Sequence, residues 1–226
     1  MLYGPCMAQI AEDLFLLLLD NASGRPALDR DRRQRVLAAA TLLDLAYACR
    51  VRPSAPGDAV APGRLVALIG SGPMDAVVEP AFGLLEQQPL PPARAVAKVG
   101  KDVQENLAVH LERLGLISRV RLPAKRFTPV YAWPLLHRDR VASARTDLLS
   151  ALFDRRPATP ATAAIVTVLH AADGLGVLLS LNDRGWRWVH SRATEIASGS
   201  WVDEYPTGLP EINLAVTASA LRSTLG

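Results

Sequence analysis

Aromatic residues are scarce in this chain. They make up 5% of its 226 residues, although half of all residues are hydrophobic. A core with so few rings must be built from Leu, Ala and Val, a mixture that favours helices. Cysteine is nearly absent too: Cys6 and Cys49 are the only two. One pair is no disulfide framework, and no CxxC spacing exists to hold zinc, so a reducing cytoplasm is the expected compartment. Long apolar runs are missing. The longest near the start, Leu14–Leu19, is six residues, whereas a spanning helix needs about 20. Glu12 and Asp13 precede it, where a secretory signal would carry positive charge. Neither a transmembrane segment nor a signal peptide is expected.

Catalytic signatures are missing as well. Gly70-Ser71-Gly72-Pro73 has no lysine and no P-loop spacing. There is no GxSxG, HExxH or dinucleotide fingerprint, and no serine or cysteine stands in a nucleophile context. No catalytic residue, metal ligand set or cofactor is assigned. The formal charge is only +3. That surplus does not itself call for nucleic acid, but it suits an anionic surface if the cations cluster.

What the chain does have is helical periodicity, punctuated by turns. Residues 1–7 read as a flexible N-terminal extension and 8–226 as one domain. Ala8–Leu19 predicts a buried first helix. The charged run from Asp29 to Arg35 opens a second, which continues through Val36–Val51 and is apolar nearly all round. Strand candidates at Arg50–Pro53 and Arg64–Ile69 flank a Pro/Gly-rich loop and form a short hairpin. Pro73 suits the first position of a third helix. Ala93–Val99 forms a short helix. The stretch 100–136 then predicts a helix striped by Val103, Leu107, Leu111 and Leu114, a stop at Gly115, and a hairpin from Leu116–Leu122 and Phe127–Trp133. Further helices are expected at Arg138–Phe153, Ala161–Ala172, Leu178–Leu181, Arg184–Ser198 and Ile212–Leu225, with Trp201 opening a loop. The fold class is mainly α: a single compact helical domain with a protruding β-hairpin and a second short hairpin.

Five stretches, in order, carry a resemblance: IAEDLFLLLLDNASGRP, VLAAATLLDLAYACRV, DVQENLAVHLERLGLI with its hairpin, TVLHAADGL and SRATEIASGSWVDE. Together they resemble the Golgi phosphoprotein-three family, and the chain looks like one of its bacterial members. The resemblance implies a mostly helical domain with a projecting hairpin. Its eukaryotic members bind phosphatidylinositol-4-phosphate at the Golgi membrane and the cytosolic tails of resident glycosyltransferases, a role that a bacterial member does not inherit with the fold. Their hairpin tip is apolar and inserts into lipid or supports oligomerisation. The family's headgroup residues are only partly matched. Asp29 stands where the family has tryptophan, Ala38 where it has arginine, and Lys101 and Gln104 where it has two more arginines. Arg30, Arg32, Arg33, Arg35 and Lys98 are close enough in that fold to supply a displaced anion site.

The candidate anion-binding residues are therefore Lys101, Gln104, Arg30, Arg33 and Arg35. Leu122, Lys125, Arg126 and Phe127 at the hairpin tip are the candidate membrane or partner contacts, with Arg119 and Arg121 adding positive charge. The expected partner is an anionic lipid headgroup or an acidic protein surface, from a cytoplasmic position on the inner membrane face. Homo-oligomerisation through the hairpin is a further arrangement. Each feature also has a plainer explanation: a solvated helix face for Lys101 and Gln104, a solvated helix start for Arg30–Arg35, and a charged guard against edge pairing for Lys125 and Arg126.

Two other classes compete. Buried Asp44, His110 and His170 could serve an enzyme or carrier for a hydrophobic small molecule if a cavity unites them. Otherwise Asp44 is a structural ion pair or helix-end contact, and His110 a satisfied core histidine. His170 and Asp173 share a helix face but lack further metal ligands. Helix Asp102–Leu114 with its hairpin resembles a winged helix, yet Asp102, Glu105 and Glu112 leave a poor face for phosphate, so no nucleic acid is expected.

Overall fold

Three helices are buried over most of their length, and the rest of the chain wraps them. The computed structural model describes residues 9–70, 72–123, 130–204 and 207–226. The 1–7 extension lies outside these. The central helices are α1 (Gln9–Leu17), α2 (Arg30–Tyr47) and α7 (Pro160–Ala171). Ile10–Leu17 of α1, Val36–Ala46 of α2 and Thr162–Leu169 of α7 are all buried. Such all-round apolar helices have no polar face to give to water and so must lie inside. Each buried leucine contributes about 1.5–3 kcal/mol, so these helices are held by packing far more than by propensity.

The surrounding elements follow the chain. They are β1 (Val51–Pro53), β2 (Leu65–Ala67), α3 (Glu79–Gln87), α4 (Pro92–Val99), α5 (Val103–Arg113), β3 (Val120–Leu122), β4 (Val130–Ala132), α6 (Asp139–Phe153), α8 (Asp183–Ala197), α9 (Trp201–Glu204) and α10 (Leu209–Arg222). Helix α2 packs against α1, α4, α5, α7 and α10. Its Ala38–Ala40 run, fully buried, lets those neighbours approach closely. The two sheets are antiparallel hairpins, β1 with β2 and β3 with β4, in the registers Arg52↔Val66 and Arg121↔Tyr131.

Helix starts follow local chemistry. Asp29 caps α2 by accepting the Arg32 N–H at 3.0 Å. Thr159 caps α7 ahead of Pro160, and Asn182 caps α8. Helix α5 ends where expected, with Gly115 at φ 68°. Val103, Leu107 and Leu111 are buried as its stripe predicts, but Leu114 is exposed, because it lies at the C-cap beyond the last helical turn.

Several boundaries differ from expectation. The second helix stops at Tyr47; Cys49 turns into the left-handed region at φ 55°, which releases Val51 into β1. The third helix begins at Glu79, not Pro73. Gly72 adopts φ 111°, Asp75 accepts the Val77 N–H at 2.9 Å in a local turn, and Pro80 takes the first-turn place. Leu178–Leu181 is not helical; a single 3-10 turn, Leu175–Val177, precedes it. Trp201 opens the short α9 because its ring is buried, and α10 starts at Leu209, ahead of Ile212, with Pro210 in its first turn. The expected strands Arg50–Pro53, Arg64–Ile69 and Leu116–Leu122 are trimmed to three residues each.

Candidate anion-binding face

The start of α2 and the elbow between α4 and α5 meet around a cavity of about 250 Å³. Asp31, Gln34 and Arg35 line it from α2; Val96, Ala97, Gly100 and Lys101 line it from the elbow. Two of the candidate cations, Arg35 and Lys101, therefore share one concavity. Arg35 Nε is buried and has no hydrogen-bond partner among the described residues. Lys101 and the nearby Lys98 are exposed. Asp31 offsets part of the positive charge.

The other candidates are placed differently. Arg33 Nε donates to Gln104 Oε1 at 2.8 Å, and Arg33 Nη1 donates to the Leu28 carbonyl. The first bond clamps α2 to α5 and the second ties Arg33 to the loop before α2, so Arg33 and Gln104 serve each other rather than open solvent. Burial pulls the Arg33 guanidinium down from its ordinary range, Asp29 opposes this, and neighbouring Arg30 adds to it. It remains a cation at neutral pH. Arg32 pairs with Asp29 at 2.8 Å and donates to the Asp173 carbonyl at 3.3 Å. Arg30 is exposed at the helix start.

The hairpin joins the same region through α5. Arg119 pairs with Glu105 at 2.7 Å and Glu112 at 3.4 Å, and lies over the Tyr131 ring at 5.3 Å. Arg119 is thus neutralised by α5 and does not add to an outward cationic surface as expected. Glu105 and Gln104 are adjacent, so one turn of α5 holds both the hairpin and α2. Arg121 is exposed and Leu122 is half-buried. Lys125, Arg126 and Phe127 lie outside the described residues.

The acid–base groups of the small-molecule reading are not brought together. A cavity of about 260 Å³ between α7 and α8 holds His170, Asp173, Trp186 and His190, but neither Asp44 nor His110. There His170 Nε2 lies 3.1 Å from Thr194 Oγ1, and its ring centroid is 5.6 Å from that of His190. Burial lowers the His170 pKa, and His190 and Arg222 reinforce this. Asp44 is sealed, accepting the backbone N–H groups of Ile10 and Ala11 at 2.8 and 2.9 Å. It is a helix-end contact, one of the two structural roles open to it in the sequence. His110 is half-buried against Glu12, at 3.0 Å.

The family question is decided by a sequence profile. That of Golgi phosphoprotein 3 (GPP34) matches residues 10–205, which is most of the chain. The chain belongs to the Golgi phosphoprotein 3 family. Among curated proteins no relative matches it. The matched region includes α1 through α9 and both hairpins.

Membership sharpens the meaning of the departures in the headgroup positions that the resemblance singled out. Asp29 caps α2 and pairs with Arg32. Ala38 is fully buried, so that position contributes nothing to a surface. Gln104 is occupied by Arg33. Lys101 alone offers a cation, and it does so beside Arg35. Among the described residues, no helix is long and apolar enough to cross a membrane.

Proposed function

We propose that the protein is a non-catalytic peripheral module that docks on an anionic membrane through the face formed by the start of α2 and the α4–α5 elbow. The observation that carries this reading is the shared cavity of Arg35 and Lys101, with Lys98 close by in sequence and the Arg35 Nε unpartnered. Family membership supports a module of the Golgi phosphoprotein type. The buried Ala38 and the engaged Asp29 and Gln104 argue against a dedicated pocket for one doubly charged headgroup, which needs several convergent cations. Attraction is then diffuse. Each basic residue near an anionic leaflet contributes about 1 kcal/mol, which gives weak binding that salt screens.

Flotation of the full chain with phosphatidylglycerol-containing and pure phosphatidylcholine vesicles tests this. Binding is expected only to the anionic vesicles, to weaken several-fold on raising salt to about 0.5 M, where screening shortens to a few ångströms, and to fall at least tenfold in the double variant Arg35→Glu, Lys101→Glu. Equal binding to both vesicle types, or no loss in the double variant, overturns it. If the double variant binds normally and hairpin variants at Lys125 and Arg126 do not, the docking face is the hairpin instead.

A further inference from the structure

A second cluster of polar groups lies apart from the cationic face and has no part in the docking reading. It joins Glu12 of α1, Asp75 in the segment before α3 and His110 of α5. His110 Nε2 lies 3.0 Å from Glu12 Oε1, and His110 Nδ1 lies 3.8 Å from Asp75 Oδ1. One ligand atom from each of the three residues falls within 4.8 Å of the other two. The side chains are 6%, 17% and 20% exposed for Glu12, Asp75 and His110, so this is a shielded pocket rather than a solvated acidic patch.

We propose that Glu12, Asp75 and His110 form a binding site for a divalent first-row transition-metal ion. Three arguments converge. The first is distance. With metal–nitrogen and metal–oxygen bonds of about 2.0–2.2 Å, two ligands of a tetrahedral ion lie about 3.3–3.6 Å apart. The ligand atoms of the cluster all fall within 4.8 Å of one another, so its widest separation closes by about 1 Å around an ion.

The second is charge. Among the described residues, Glu12, Asp13 and Asp75 are three carboxylates served by one guanidinium. Arg140 reaches Glu12 Oε2 at 2.5 Å and Asp13 Oδ1 at 2.6 Å. A divalent cation would balance the remaining two. Arg140 also leaves Glu12 Oε1 facing His110, so it acts as the outer group that orients a ligating carboxylate.

The third is ligand chemistry. One imidazole nitrogen with two carboxylate oxygens suits Zn²⁺, Co²⁺, Fe²⁺ or Mn²⁺, whereas Ca²⁺ takes six to eight oxygens. Three protein ligands leave a position for water. The ion would fasten α1, α5 and the Asp75 segment together.

The test uses the metal-stripped full chain, titrated with Zn²⁺ by calorimetry and with Co²⁺ by visible absorption, which reports inner-sphere ligands. One equivalent is expected, with no comparable uptake of Mg²⁺ or Ca²⁺. Affinity is expected to fall at least tenfold in Asp75→Asn and in His110→Gln. The Asn variant keeps an acceptor for the Val77 N–H, and circular dichroism checks that both remain folded. His190→Ala, which removes one ring of the other imidazole pair, is expected to bind normally. Absence of stoichiometric binding by the unaltered chain overturns the site. So does binding that survives both cluster variants, or that is lost only in His190→Ala.

Discussion

The carboxylate of Asp44 on α2 accepts the backbone N–H of Ile10 on α1 at 2.8 Å, and its second oxygen takes the next N–H, that of Ala11, at 2.9 Å. A buried acid from one helix thus performs for another the task usually given to an N-cap side chain. The same contact explains how an acid side chain is accommodated at 3% exposure in an otherwise apolar helix.

Replacing Asp44 should therefore weaken the core. Asp44→Ala leaves two buried donors unpaired, at about 1–3 kcal/mol each. Asp44→Asn keeps one acceptor and should cost less. Burial raises the Asp44 carboxyl well above the ordinary 3.8, with the two backbone hydrogen bonds opposing. The folded protein then holds this proton more tightly than the unfolded chain. Its contribution to stability is fullest below the unfolded value and declines as pH rises through the folded one. Urea unfolding from acid to neutral pH should show that decline, and Asp44→Asn should remove it. An unchanged pH profile in the Asn variant would refute the assignment.

Arg140 holds two buried carboxylates at once, Glu12 and Asp13. Arg140→Met should cost about 3 kcal/mol, because the acids lose their cation while remaining inside. Asp13 titrates above its ordinary 3.8, chiefly through burial, and Arg140 opposes that rise. Without Arg140 the folded-state value climbs further. The stability deficit of the variant should then be larger at pH 8 than at pH 5. Denaturant titration at the two pH values checks this; an equal deficit at both would exclude the pairing as its source.

The hairpin is seated by Gly24. Its φ is +63°, and a side chain there would place a Cβ 2.4 Å from the Pro134 nitrogen and 2.6 Å from the Trp133 carbonyl carbon. The Gly24 carbonyl also accepts the Trp133 N–H at 2.7 Å, and the Trp133 ring meets Phe15 edge-on at 5.9 Å. Gly24→Ala should cost at least about 3 kcal/mol, since both the strain and the clash fall on backbone. It should also raise amide exchange in β3 and β4 more than in α2 or α7. A variant with unchanged melting temperature and exchange would show that the loop gives way easily.

Local signals were legible to different depths. Thr159 sits before Pro160 and an apolar run, Asp29 and Asn182 before charged first turns, and each caps its helix. The α5 stripe from Val103 to Leu111 and the glycine stop could be read directly, because helix period and turn chemistry are properties of neighbouring residues; Leu114, read as its last member, is exposed. Pro73 misled: a proline fits a helix start, but it fits a turn equally well, and Pro80 holds the real start. Nothing local distinguishes the two.

Periodicity and composition act over a few residues, and they were enough to dictate a helical domain with two hairpins and a run of arginines opening α2. Which cations face outward was settled only when the helices came together. Packing clamped Arg33 to Gln104, neutralised Arg119 with Glu105, left Arg35 beside Lys101, and drew Glu12, Asp75 and His110 into one cluster. Coulomb attraction and hydrogen bonding depend on distance in space, and the distance between residues far apart in the chain is set only by that packing.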